Sequence, residues 1–295
     1  MDGRPRRFGI LTAVALAAGL SGCALLPNDS AKLHQQAQAD LARWADAVAA
    51  AGGHPAFVPV GELTGQVGDW EEAVGNNNKP ALMAGLVEAA ISLPTETPPD
   101  GELRWQDGSS ETVRLISAQQ ALAALKSDGG GSCPDCVPLQ ITGARLTSGS
   151  VETSRGPAEA AVWEFTLQGT AVRVTRVAIA DRVTVVPPPW DPNDPPVGIT
   201  IDSATGTVGG RQLTVGFVGA PGPGDQPCGA DYSAQAVESP TAIVVIVTEH
   251  ANGLPVPCTD VGARRTAVVE LSAPLGERTV LEVREGLPVA VLLTR

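Results

Sequence analysis

The sharpest chemical signature in this chain of 295 residues is "CPDC", with Cys133 and Cys136 two residues apart. A dithiol at that spacing is the core of thiol–disulfide redox centres, where the N-terminus of a following helix stabilises the thiolate. Here Val137-Pro138-Leu139-Gln140-Ile141 follows instead, an alternating pattern that reads as a strand, so the dipole that would activate a thiol is missing. Pro134 suits the second position of a β-turn, and such a turn holds its end Cα atoms within about 7 Å, near the span a disulfide tolerates. Two further cysteines, Cys228 and Cys258, lie downstream. Four cysteines allow three pairings, and the turn geometry favours Cys133–Cys136 with Cys228–Cys258, a structural staple rather than a redox pair or a zinc site.

A second cluster is "GDWEEAVGNNNK". Asp69, Glu71 and Glu72 flank Trp70, and Asn76, Asn77 and Asn78 add amide oxygens. Carboxylates with amide carbonyls suit a hard cation such as calcium, but the DxDxDG spacing is absent, so a solvated loop is the plainer reading. Paired carboxylates can cleave glycosides, yet adjacent Glu71 and Glu72 rarely face one cleft, and the aromatics that stack on sugars are scarce. The cluster is carried forward as a candidate binding loop. The three histidines, His34, His54 and His250, have no partner at helix-pair metal spacing. Neither GxxxxGK[ST] nor GxSxG occurs, and "DGSS" at residues 107–110 reads as a hairpin turn. No catalytic residue, metal ligand or cofactor is therefore assigned. The competing reading is an enzyme: a hydrolase at the Trp70 loop or an oxidoreductase at CPDC.

The elements that must hold these residues alternate between few helices and many strands. Leu33, Ala37, Leu41, Trp44, Val48 and Ala51 recur at three- and four-residue spacing, predicting an amphipathic helix over residues 30–51 with Ser30 as N-cap and Gly52 beyond its end. "ALMAGLVEAAISL" reads mostly as strand with a bulge near Gly85. Leu103 and Trp105 alternate into an Asp107-Gly108 turn and return through Val113 and Leu115. Ser117 and Gln120 form a capping box for a short helix to about Leu125. "VPLQIT", "AVWEFTL" and "AVRVTRVAIA" are strands, with "SGSVETSRGP" a polar surface loop between the first two. "VVPPPWDPNDPPVG" reads as a semi-rigid spacer. After it come "QLTVGFV", "AIVVIV", "TAVVEL", "TVLEV" and "PVAVLL", of which the second is apolar throughout, as in a strand buried on both faces. The expected organisation is a leader over residues 1–22, an α+β domain over 23–182, a proline-rich linker over 183–198 and an all-β, sandwich-like domain over 199–295.

The N-terminus supplies an address. Arg4, Arg6 and Arg7 precede the apolar run "GILTAVALAAGL", shorter than the roughly 20 residues a bilayer-spanning helix needs, which describes a secretory signal. Leu20-Ser21-Gly22-Cys23 resembles the lipobox of bacterial lipoproteins. That resemblance implies cleavage before Cys23, a diacylglycerol on its sulfur, and anchoring at the extracytoplasmic face of a cell membrane. From "CPDCVPLQITGARLTSGSVETSRGP" through "DYSAQAVESPTAIVVIVTEH" to "TVLEVREGLPVAV" the chain also resembles lipoproteins of actinobacteria, which agrees with the address and the disulfide pattern and brings no activity with it. The formal charge of −12, made more negative by loss of the arginine-rich leader, argues against nucleic acid as a partner and leaves membrane contact to the lipid. An apolar content of 43% is enough for packed cores. The expected function is a lipid-anchored envelope protein that binds an envelope protein or a cell-wall ligand, or serves a structural role.

Overall fold

Alternating apolar residues dictate most of the elements, and strand outweighs helix, 42% against 15%. The structure is a computed structural model describing residues 27–70, 77–251, 257–259 and 261–294; Cys23, Glu71, Glu72 and Asn76 lie outside the described residues. The chain begins with helix α1 (Pro27–Ala50), then runs through β1 (Thr64–Val67), α2 (Asn78–Met83), β2 (Val87–Ala89), β3 (Gly101–Trp105), β4 (Ser110–Val113) and α3 (Ala118–Ser127). Strands β5 (Leu139–Thr153), β6 (Gly156–Leu167) and β7 (Arg173–Val177) follow. These seven strands form one sheet with the path β1-β7-β6-β3-β4, in which β5 pairs β6 and parallel β2 pairs β5.

The capping box holds α3 in place. Ser117 Oγ accepts from Gln120 N at 3.2 Å, and Gln120 Oε1 accepts from Ser117 N at 2.9 Å. The helix then buries Ala118, Ala121, Leu122 and Leu125 against Ile141, Phe165 and Val174 of the sheet. Three local expectations need correction. Helix α1 starts at Pro27, so Ser30 lies inside it and proline opens it, as its fixed φ and absent N–H permit. The stretch from Ala81 is first helix α2, with Pro80 tolerated in its opening turn, and only Val87–Ala89 is strand. A short apolar run suits either a strand or a buried helical turn, and packing decides. "SGSVETSRGP" is not a loop: β5 and β6 run on to a tight turn at Ser154 and Arg155. Ser148, Ser150, Glu152 and Arg155 are exposed there, while Val151, Thr153 and Ser154 are buried, and Thr153 Oγ1 is satisfied by Trp105 Nε1 at 3.0 Å and Gly156 O at 2.7 Å.

The rest of the chain is strand: β8 (Ile201–Thr207), β9 (Gln212–Gly219), β10 (Ala230–Glu238), β11 (Ala242–Ala251), β12 (Ala263–Glu270), β13 (Thr279–Glu282) and β14 (Val291–Thr294). They form a three-stranded sheet, β10-β11-β13, and a four-stranded one, β12-β9-β8-β14. Both contribute to a single apolar core containing Phe217, Ile243, Val245, Val269 and Val280.

The other face of the three-stranded sheet is covered by α1. Trp44, Leu41 and Ala37 pack with Val244, Ile246 and Leu281, so the even-numbered residues of "AIVVIV" face the helix and the odd-numbered ones face the second sheet. That accounts for a strand apolar on both sides. The sequence groups α1 with the N-terminal part; its stripe is covered instead by strands about 200 residues later. The proline-rich segment, expected as a semi-rigid spacer, lies docked along α1. Val183 and Val185 are buried beside α1, Lys32 Nζ reaches Asp194 Oδ1 at 2.5 Å, and Gln36 exchanges hydrogen bonds with Val197 N at 3.2 Å and Val197 O at 3.1 Å. Prolines keep the strap extended, and α1 supplies its polar partners.

Candidate functional site

Both cysteine pairs expected from the sequence are at disulfide distance, Cys133–Cys136 with Cα atoms 5.3 Å apart and Cys228–Cys258 at 5.6 Å. Cys136 N donates to Cys133 O at 3.2 Å, closing the turn. No helix starts there; the next element is β5, so the helix N-terminus that a thioredoxin-like redox centre places after its dithiol is missing. Asn77 fixes this turn from the side. Its Oδ1 accepts from Val137 N at 2.7 Å and its Nδ2 donates to Val137 O at 3.0 Å, the exchange a neighbouring strand would make.

This placement redistributes the candidate binding loop. Asn77 is spent on Val137, Asn78 is buried at the start of α2, and Trp70 is half-buried against the core shared by α3 and the seven-stranded sheet. Asp69 is exposed, and it is the one loop carboxylate among the described residues. The histidines are scattered: His34 Nε2 meets Gln235 Nε2 at 3.3 Å, His54 Nε2 meets Glu111 Oε1 at 3.3 Å, and His250 Nε2 meets Ser233 Oγ at 2.8 Å. Among the described residues no three His, Cys, Asp or Glu side chains gather as a metal site.

Two concavities lie where the seven-stranded sheet meets the C-terminal strands. The first, of about 690 Å³, holds Trp105, Arg155, His54 and Arg278. Both of its arginines already have partners. Arg155 stacks over Trp105 at 3.9 Å and donates to Ser109 Oγ at 2.9 Å, and Arg278 is tied to Glu238 and to the carbonyls of Ala273 and Pro274.

The second is a groove of about 1120 Å³. One wall is the chain from Pro59 through β1; the opposite wall is the C-terminal end of α2 and α3 with residues 129–131; Val185, Leu287 and Pro288 close its end. Gly85 and Gly129 let those two helix ends touch. Gly85 has φ +67°, and a Cβ on it would sit 2.4 Å from the carbonyl oxygen of Lys126, while a Cβ on Gly129 would sit 2.4 Å from Gly85 N. Gly85→Ala should therefore cost about 2 kcal/mol or more, from left-handed backbone strain plus the clash, read as a lowered urea midpoint. An unchanged midpoint would contradict this packing.

Arg176 of β7 forms the floor, with a side chain 1% exposed. Its Nη1 donates to Thr64 Oγ1 at 3.0 Å, its Nη2 contacts Asp128 Oδ2 at 2.6 Å, and its Nε has no hydrogen-bond partner among the described residues. Burial pulls its pKa down, Asp128 opposes that, and the nearby positive charge of Arg182 adds to the fall. Arg182 and Lys79, also lining the groove, make no ion pair or side-chain hydrogen bond among the described residues.

No family model, curated protein or solved structure matches this chain. The sequence reading passed over Arg176, Arg182 and Lys79. A signal existed for the first: in "VTRV" Arg176 shares the inward phase of Val174, where an apolar residue is expected.

Proposed function

We propose that this chain is a lipid-anchored protein of the extracytoplasmic face of a cell membrane, acting by binding an envelope component rather than by catalysis. The observation that carries the binding part is the groove at the join, mostly apolar, pre-formed and lined by Arg182 and Lys79, which make no ion pair among the described residues. Ligand sites favour such joins and such a mixture of apolar wall and few polar anchors. The address rests on the resemblance of Leu20-Ser21-Gly22-Cys23 to the lipobox and on the basic, apolar leader before it. No helix among the described residues is long and apolar enough to cross a membrane, and two acyl chains on Cys23 would hold the protein at the surface. The disulfide-distance pairs suit an oxidising compartment.

Architecturally, we read residues up to 182 as an α+β part and residues 199–295 as a sandwich-like part, with α1 lent from the first to the second. Only Ala24, Leu25 and Leu26 separate Cys23 from Pro27, a reach of about 14 Å at full extension. An anchored Cys23 would thus hold the start of α1, and with it the three-stranded sheet, close to the bilayer. Replacing Cys23 by Ser should move the protein from the membrane fraction to the soluble fraction while leaving its thermal unfolding unchanged. Retention of the Cys23→Ser protein in washed membranes would refute the anchor.

A further inference from the structure

We infer that the groove takes an amphipathic anion, with a carboxylate or phosphate head at Arg182 and Lys79 and an apolar tail along Met83, Val185 and Leu287. This rests on the binding reading above and gives it a ligand chemistry. The chain as a whole carries 20 Lys and Arg against 32 Asp and Glu. The groove inverts that balance: Lys79, Arg176 and Arg182 line it against Glu62 and Asp128. Asp128 is already committed to Arg176. What is left is Arg182, half-buried and unpaired among the described residues, with Lys79 and Glu62 exposed at the rim, two cations against one carboxylate. A guanidinium in a partly dehydrated site binds a carboxylate or phosphate through charge-assisted hydrogen bonds, about twice as strong as neutral ones. An anion there would also relieve the repulsion between Arg182 and Arg176, which adds to the fall that burial imposes on the pKa of the latter.

The tail follows from the other lining groups. Met83 is 61% exposed at the end of α2, an unbranched, polarisable side chain facing a concavity rather than a core. Beyond it the groove ends on Val185, Leu287 and Pro288. A polar ligand such as a sugar would leave these groups uncovered. A nucleotide would bring an anion but would find no aromatic face: none of the groove residues is Trp, Tyr or Phe. A linear apolar tail with one anionic end uses both halves of the lining.

The test is calorimetric titration of the mature protein, residues 23–295 as isolated, in phosphatidylcholine vesicles, with protein-free vesicles as the blank. The probes are octanoate, octyl phosphate, octanol and inorganic phosphate. Both anionic amphiphiles should bind, and octanol and inorganic phosphate should each bind at least about tenfold more weakly, the worth of one charge-assisted contact. Octyl phosphate binding well ahead of octanoate would point to a lipid phosphate, the reverse to a free fatty acid. Arg182→Gln should weaken both anions about tenfold and leave octanol unchanged, while Arg182→Lys, which keeps the charge and loses the planar fork, should fall between that variant and the unaltered protein. Octanol binding as tightly as octanoate, indifference to Arg182→Gln, or no binding of either anion would overturn the proposal. None of these results bears on the anchor, which the Cys23→Ser fractionation decides by itself.

Discussion

Trp44→Ala should cost about 3–5 kcal/mol, the range for deleting a buried aromatic that leaves a cavity. Trp44 has no exposed surface and sits among Leu41, Val48, Val244, Ile246 and Leu281. Against a typical total of about 5–15 kcal/mol, a loss of that size is a large share of the whole. The loss should be non-local in a diagnostic way. Because α1 covers the outer face of β11, hydrogen exchange at Val244 and Ile246 should accelerate in the variant, together with exchange in α1 itself. Chemical denaturation gives the magnitude and exchange gives the location. If the exchange increase were confined to β3 through β7, α1 would belong to the N-terminal sheet and the packing described above would be wrong.

Asp40→Asn should make the protein more stable at pH 8 and change little at pH 4. Asp40 is fully buried on the same face of α1 as Trp44, against Gly286, with Arg43 and Glu282 as its charged neighbours. Burial drives its pKa up to about 7; Arg43 lowers it and Glu282 raises it further. Arg43 donates to Asp40 Oδ1, while Oδ2 has no partner among the described residues. The unfolded chain ionises this carboxyl near pH 4, three units before the folded one. Between those values the unfolded state binds fewer protons, so rising pH removes stability at up to about 1.4 kcal/mol per pH unit, an upper bound for one group. The contribution is fully present below pH 4 and gone above pH 7. An amide cannot ionise, so the variant should lack this decline. Other acidic groups shift both curves alike, and the difference between the two proteins isolates Asp40. A difference that stays flat from pH 4 to pH 8 would mean Asp40 is solvated, and α1 less tightly docked.

What the sequence could and could not convey follows from the range of the forces involved. The α1 stripe, the Asp107-Gly108 hairpin, the Ser117–Gln120 cap, the Cys133–Cys136 turn and the run of C-terminal strands are local patterns, and their partners lie a few residues away. The partner of α1 lies in β11, about 200 residues on, and an apolar stripe carries no label for the surface that will cover it. The same holds for the proline segment: its stiffness is readable, its docking on Lys32 and Gln36 is not. In the Trp70 loop, Asn77 looked like a ligand because an amide that binds a cation and an amide that mimics a strand edge are the same group. The groove escaped notice because its cations come from three separate places, α2, β7 and the stretch after it. Only Arg176, breaking an inward apolar phase, and Asp40, on the same face as Ala37 and Trp44, left a trace in the pattern.

The most direct test of the account is the intact mass of the protein extracted from membranes of the cells that make it, under non-reducing conditions. A chain that begins at Cys23, carries the mass of a diacylglycerol and lacks four thiol hydrogens is the expected result. A chain that retains Met1, with Cys23 a free thiol and four more free cysteines, would contradict it.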